Sequence, residues 1–252
     1  ELFREAWAQY AALPLGSDEL RPSSCRRRNS YGGIGMTLID SLDTLVLLNE
    51  TGELRRGVAW LLGNATFDVD ARVSVFETNI RVLGGLLSAH LLLGRDPRPL
   101  PEYAGGLLPL AADVGDRLMA AFESSPSELP WAWVNLRRGV LPRETTNTCA
   151  AGAGTLLLEM GMLSELTGDP KYAAAARKAA LGVVNRQSPL GLVGNTLDVR
   201  TGKWLRQDAG IGAGIDSLYE YLLKAYLLFG DEEMLDAFAG LYASAHHHML
   251  GH

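Results

Sequence analysis

The 252-residue sequence has little cysteine, no long apolar run and no concentration of positive charge. Its two cysteines, Cys25 and Cys149, fit neither a zinc-finger spacing nor a CxxC redox motif. They are compatible with one disulfide or with two buried free thiols. No uncharged apolar stretch reaches the roughly 18 residues that a membrane span needs. Lysine and arginine total 23 against 29 aspartates and glutamates, a net charge of −6, and the one cationic run is Arg26-Arg27-Arg28. That run is too short for a nucleic-acid footprint. The first residue is Glu1 with no leader before it, so the chain is expected to begin inside a longer protein. Several catalytic signatures are also missing. There is no HExxH and no Gly-x-Ser-x-Gly elbow. Gly152-Ala153-Gly154 lacks the third glycine of a dinucleotide loop, and no strand clearly leads into it. His90 stands alone on a helical segment, which favours a packed residue over a ligand. His246, His247, His248 and His252 crowd one terminus without the carboxylate pattern of a metal site.

What is present is a globular composition. Apolar residues make up 47% and charged residues 21%, enough apolar side chain in a chain of this length for a sizeable core. Two glycosylation sequons, Asn49-Glu50-Thr51 and Asn64-Ala65-Thr66, weakly favour a secretory compartment.

Helical periodicity or propensity runs through 1–12, 36–49, 52–62, 74–93, 103–123, 151–167, 170–187, 216–229 and 231–246. The connections repeat one theme: an apolar helix end, a glycine, then an acidic residue or proline. It occurs at Gly52-Glu53, Gly94-Arg95-Asp96-Pro97, Gly168-Asp169-Pro170 and Gly230-Asp231. Glycine supplies the left-handed cap, and aspartate or proline opens the next helix. Each unit reads as a helical hairpin. The irregular spacing argues against a tandem solenoid and suits an all-α toroid of hairpins. Segments 130–145 and 191–205 carry β-formers and turn residues, and Thr201-Gly202 marks a hairpin.

Three acidic sets stand in contexts that have two readings. In Ser74-Val75-Phe76-Glu77, the spacing matches a capping box, and Glu77 with Arg81 is an ordinary i,i+4 pair, the reading that pattern alone favours; the other reading is that Glu77, Arg81, Gly84 and Ser88 form a stripe suited to a polar cavity. Asp216 and Glu220 share a helical face after Gly212-Ala213-Gly214; Ser217-x-x-Glu220 is again a capping-box spacing, while the glycines admit a ligand close to the backbone. Asp40 and Asp43 are acids at i,i+3 in a strongly apolar helix. They sit at its polar edge or face a cavity with a compensating partner.

Longer motifs resolve the pattern into a resemblance. Gly33-Ile34-Gly35-Met36-Thr37-Leu38-Ile39-Asp40-Ser41-Leu42-Asp43-Thr44-Leu45, Val73-Ser74-Val75-Phe76-Glu77-Thr78-Asn79-Ile80-Arg81, Leu158-Glu159 through Thr167-Gly168-Asp169, and Gly214-Ile215-Asp216-Ser217-Leu218-Tyr219-Glu220-Tyr221 resemble, in order, four motifs of glycoside hydrolase family 47, the class I α-1,2-mannosidases. Asp18-Glu19-Leu20-Arg21-Pro22 leading to Cys25, Val134-Asn135-Leu136-Arg137-Arg138-Gly139, Gly191-Leu192-Val193-Gly194-Asn195 and Gly214 are most similar to the ER degradation-enhancing α-mannosidase-like branch.

The resemblance implies an (αα)7 barrel, of which residues 1–252 would be a single, C-terminally incomplete domain: about nine helices with short β-hairpins where a full ring needs fourteen helices. It implies an inverting mannosidase that trims high-mannose N-glycans of misfolded glycoproteins in the endoplasmic reticulum lumen, with a redox or chaperone partner there. Carried over by position, Glu77 matches the acid that protonates the leaving oxygen through a water, Asp216 the second essential carboxylate and Arg81 a substrate-holding residue. Asp40, Asp43, Glu159 and Glu220 are the further substrate-binding candidates. The family also implies a Ca²⁺ ion, whose protein ligand and the third carboxylate match no residue of this sequence, so this chain alone is expected to be inactive. Gly152 departs from the acid that the processing enzymes carry there. The alternatives are a lectin-like adaptor that binds glycans without turnover and, less well supported, a sugar epimerase on the same toroid, which calls for a catalytic histidine.

Overall fold

The computed structural model describes residues 1–250. In chain order its elements are α1 (Leu2–Ala11), β1 (Glu19–Arg21), β2 (Arg26–Arg28), α2 (Met36–Asp40), α3 (Leu42–Leu47), α4 (Thr51–Asn64), β3 (Arg72–Ser74), α5 (Val75–Glu77), a π-helical turn (Thr78–Leu83), α6 (Gly84–Arg95), α7 (Leu107–Glu123), β4 (Trp133–Asn135), β5 (Asn147–Cys149), α8 (Ala150–Gly154), α9 (Leu157–Thr167), α10 (Lys171–Val184), β6 (Thr196–Asp198), β7 (Trp204–Arg206), α11 (Asp216–Phe229) and α12 (Glu232–Met249). Among the described residues, no helix is long and apolar enough to cross a membrane. The chain divides into two compact units. One takes in Glu1–Val73, Ile80–Arg117 and Asn135–Arg138; the other takes in Ser74–Asn79, Leu118–Val134 and the chain from Gly139 on.

In the first unit, the apolar faces of α2, α3, α4 and α6 make the core, with Leu38, Ile39, Leu42, Leu45, Leu54, Leu61 and Leu86 removed from solvent. The segment expected as one helix over 36–49 is two. It breaks at Ser41, whose N–H bonds back to Leu38 O at 3.2 Å, three residues earlier rather than four. Gly85 lets α6 lie against α2: a Cβ there would stand 2.6 Å from the carbonyl oxygen of Ile39. Ahead of α2, the buried carboxylate of Asp18 accepts the backbone N–H groups of Tyr31, Gly33, Gly35 and Met36 at 2.8–3.3 Å. That set of bonds fixes the glycine-rich run that leads into the helix. A two-stranded antiparallel ribbon, Glu19 opposite Arg28, places the cationic run on a strand that sequence periodicity did not suggest.

In the second unit, α9 packs on α10, α11 on α12, and α8 on both α10 and α11. The expected helix over 151–167 is also two, parted at Thr155 (φ −103°, ψ 58°) and Leu156. Small residues explain where α8 lies. Ala150, Ala151, Ala153 and Gly154 are all buried, and a Cβ on Gly154 would meet the Leu218 side chain at 2.4 Å. The hairpin read at Thr201-Gly202 is β6–β7, closed by Asp198, which accepts the N–H of Thr201 through its carboxylate and that of Gly202 through its carbonyl, both at 2.8 Å. β5 joins it as a third antiparallel strand, Asn147 opposite Asp198. α11 begins at Asp216 and ends before Gly230 in the left-handed region (φ 72°), as the cap theme predicts.

Candidate active site

The first unit gathers Asp40, Asp43 and Arg81. The Arg81 guanidinium reaches Asp40 at 3.3 Å, so the acid of α2 has its compensating cation on the π-helical turn. Asp43 on α3 accepts the N–H of Thr44 at 2.6 Å and the hydroxyl of Ser88 on α6 at 3.0 Å. The two acids of the apolar helix are thus edge residues with partners. Asp40 and Arg81 remain about 40% exposed, with side-chain exposures of 38% and 43%, and so stay open to a ligand. The π turn over Thr78–Leu83 was not legible from the i,i+4 stripe, and such turns recur at functional sites.

The second unit gathers Glu77, Asp216, Glu159 and Glu220. Ser74 accepts the N–H of Glu77 at 3.3 Å, so the N-cap half of the expected capping box forms. The one-turn α5 that carries Glu77 packs on α8. α8 in turn donates the N–H of Ala151 to Gly214 O at 2.8 Å, two residues before Asp216. Thr155 Oγ1 and Ser217 Oγ meet at 3.0 Å just after Asp216. Ser217 is therefore not the cap of a Ser217-x-x-Glu220 box: the cap position is Ile215 with no side-chain bond. Asp216 is exposed at the first position of α11, where its carboxylate accepts the N–H of Ser217 at 2.8 Å. Glu220 is exposed and paired with Lys224 at 2.6 Å.

Glu159, on α9, is the most enclosed of the candidate acids. Its Oε1 accepts the Tyr221 hydroxyl at 2.8 Å and its Oε2 the Asn79 amide at 2.7 Å. Burial holds its pKa above the usual carboxylate range, against the pull of those two donors and of Lys224. Burial and the adjacent Glu159 likewise raise the Tyr221 phenol. Sequence reasoning noted Tyr221 only as flanking the acids Asp216 and Glu220 and passed over Asn79. Their role shows only through a long-range partner.

Ser74 and Phe76, at the start of α5, border a hollow of about 510 Å³ whose walls also include Trp133, Thr148, Cys149 and Gly152. Thr148 Oγ1 is buried there without a hydrogen-bond partner. Cys149 caps α8, its sulfur accepting the N–H of Gly152 at 3.1 Å, and burial raises its thiol pKa. Both cysteines are free thiols. Among the described residues, no group of three or more histidine, cysteine, aspartate or glutamate side chains is arranged to hold a metal ion. His252 lies outside the described residues. His90 is engaged with Tyr103 at 2.8 Å, and burial lowers its pKa, the environment of a packed histidine.

A sequence model described as "Glycosyl hydrolase family 47" matches residues 2–252. "Alpha-mannosidase I MNS5" of Arabidopsis thaliana is 45% identical over 262 residues, which cover 97% of this chain and 46% of that protein. "ER degradation-enhancing alpha-mannosidase-like protein 2" of Mus musculus is 46% identical over 240 residues, 94% of this chain and 41% of that one. Among solved structures, the "alpha-1,2-mannosidase from Trichoderma reesei" superposes with a TM-score of 0.88 at 31% identity, covering 98% of this chain and 53% of that chain. The chain thus spans less than half the length of these two curated relatives, and its fold is that of the α/α-barrel mannosidases. The chain belongs to glycosyl hydrolase family 47.

Proposed function

We propose that this chain is part of one inverting α-1,2-mannosidase domain that trims mannose from high-mannose N-glycans in the endoplasmic reticulum lumen. The observation that carries the reading is the path from Glu77 to Asp216. α5 packs on α8, and α8 is bonded to the loop that opens α11, so two acids 139 positions apart in sequence share one neighbour. The partly aromatic hollow bordered by Phe76 and Trp133, next in sequence to Glu77 on one side, supports a sugar ring as ligand.

In this proposal Glu77 delivers a proton, through a water, to the glycosidic oxygen as the C1–O bond breaks. A second water attacks C1 from the opposite face and gives up its proton to a base. Inversion needs acid and base about 6.5–9.5 Å apart, with room for that water. Asp216 is the second essential carboxylate of the set, and the base has no assigned residue in this sequence. By the family resemblance Arg81, Asp40, Asp43 and Glu220 hold substrate hydroxyls; a guanidinium supplies several donors in a fixed fork. Calcium enters only as the family's cofactor. The described residues do not form a cage for it, and none of these steps runs through it. The lumenal setting is supported by the degradation-enhancing relatives named above and by the exposed sequons at Asn49 and Asn64. The exposed Cys25 is the group that a redox partner there would meet.

Mannose release from Man₉ and Man₈ glycans by the full-length protein tests this. Glu77→Gln is expected to lose about 100-fold or more in kcat, the scale of a lost general acid. Equal release by both forms would end the assignment, and glycan binding without any release would favour the adaptor reading.

A further inference from the structure

Glu159 resembles a substrate-binding acid by sequence position, but its surroundings describe a different task. Both carboxylate oxygens are taken by protein donors on two other elements. Asn79 stands two residues after Glu77, and Tyr221 stands five residues after Asp216. Asn79 is fully buried, and Tyr221 nearly so. The amide of Asn79 is used at one end only: its Oδ1 is buried with no hydrogen-bond partner. A buried amide left half-satisfied is unfavourable unless its other end makes a strong bond. The bond it makes, 2.7 Å to Glu159 Oε2, is a short one inside the protein. The selection of asparagine at 79 is thus explained by Glu159 and by nothing else in its hydrogen bonding.

We propose that Glu159 is a positioning residue that ties the turn bearing Glu77 to the helix opened by Asp216. Asn79 holds one end of the tie and Tyr221 the other, so a single side chain on α9 fixes the two acid-bearing segments relative to each other. The inference rests on the reading of Glu77 and Asp216 as the acid pair, because it says what sets their separation. In-line attack by water tolerates little error: about 1 Å of misplacement costs on the order of 100-fold. A tie made of two short bonds inside the protein is a fitting way to hold that separation.

The test compares four variants of the full-length protein with the parent. Glu159→Leu, which keeps the volume and removes both bonds, is expected to lower kcat about 100-fold with KM within about threefold. Glu159→Gln offers Tyr221 an acceptor and, with the Asn79 amide reversed, offers Asn79 a donor, so it recovers at least about tenfold of that loss. Tyr221→Phe lowers kcat by itself, and the double variant with Glu159→Leu is no worse than Glu159→Leu, because the tie is already cut. A rise in KM at unchanged kcat in Glu159→Gln overturns the proposal and makes Glu159 a substrate contact. Amide hydrogen exchange separates this from a failed acid assignment. Whether or not mannose is released, Glu159→Leu is expected to speed exchange in 78–83 and in 216–221 together, with α12 unchanged. Unchanged exchange in both segments overturns the tie, whereas Glu77→Gln that leaves hydrolysis intact overturns only the acid assignment.

Discussion

Arg81 Nη1 stands 3.3 Å from Asp40 Oδ2, a bond between groups 41 residues apart that turns the apolar helix's acid toward a cation on the π turn. Because both side chains are about 40% exposed, the pair is worth little to stability: Asp40→Ala is expected to cost about 1 kcal/mol or less. On the proposed reading, its value lies in orienting the guanidinium toward substrate. Arg81→Lys, which keeps the charge and loses the planar fork, is expected to weaken binding of an α-1,2-linked mannobiose about tenfold while the melting temperature stays within a few degrees. Calorimetric titration and a thermal melt read the two quantities. A large drop in melting temperature with unaltered affinity would make the pair a structural clamp.

Two glycines in α6 are expected to answer the same substitution with opposite signs. Gly85→Ala places a methyl 2.6 Å from the carbonyl oxygen of Ile39, a backbone atom that cannot swing away. The helices must part, at about 1–3 kcal/mol. Gly94, ten residues from the start of the helix, has nothing within 4 Å of the added methyl. Gly94, expected as a left-handed cap, is instead the next-to-last helical residue and is not left-handed, so Gly94→Ala gains up to roughly 0.5 kcal/mol from helix propensity alone. Urea unfolding of the two variants checks the pair. A neutral Gly85→Ala would mean that α2 and α6 have slack, and that Asp40 is less firmly placed than its bonds imply.

How much of this was legible in the sequence depends on whether the signal was local. α11 was read at its observed bounds because its start and stop are both local: a glycine-rich approach before Asp216 and a left-handed Gly230 after Phe229. The breaks at Ser41 and at Thr155 were not, because apolar periodicity runs on through both, and the backbone turns there for tertiary reasons. Ser217 shows the same limit from the other side. Its spacing to Glu220 is that of a cap, but Thr155, 62 residues away, takes its hydroxyl. Spacing and motif resemblance found the candidate acids. Asn79 and Tyr221, the residues that hold Glu159, declare themselves only across 80 and 62 positions of sequence.

The enclosed Glu159 gives stability a pH dependence opposite to that of the surface acids. Asp96, held at about 2 by hydrogen bonds from Arg98, and Asp231, Glu128 and Asp198, lowered chiefly by bonds from Arg177, Arg186 and Thr146, favour the folded state above their unfolded pKa values and withdraw that support as the medium turns acid. Glu159 is raised instead, first by burial, with Tyr221, Asn79 and Lys224 pulling the other way. The folded chain therefore binds its proton more tightly than the unfolded chain does. Its contribution is full below the ordinary glutamate value of 4.5 and is lost as pH climbs through the raised one. Subtracting the unfolding free energy of Glu159→Gln from that of the parent cancels the surface acids and leaves this one group. The difference is expected to be largest near pH 4 and to shrink steadily toward neutral pH, as read by denaturant unfolding at a series of pH values. A difference that grows with pH would mean that the bonds from Tyr221 and Asn79 outweigh burial, and that Glu159 is ionised within the fold at all working pH values.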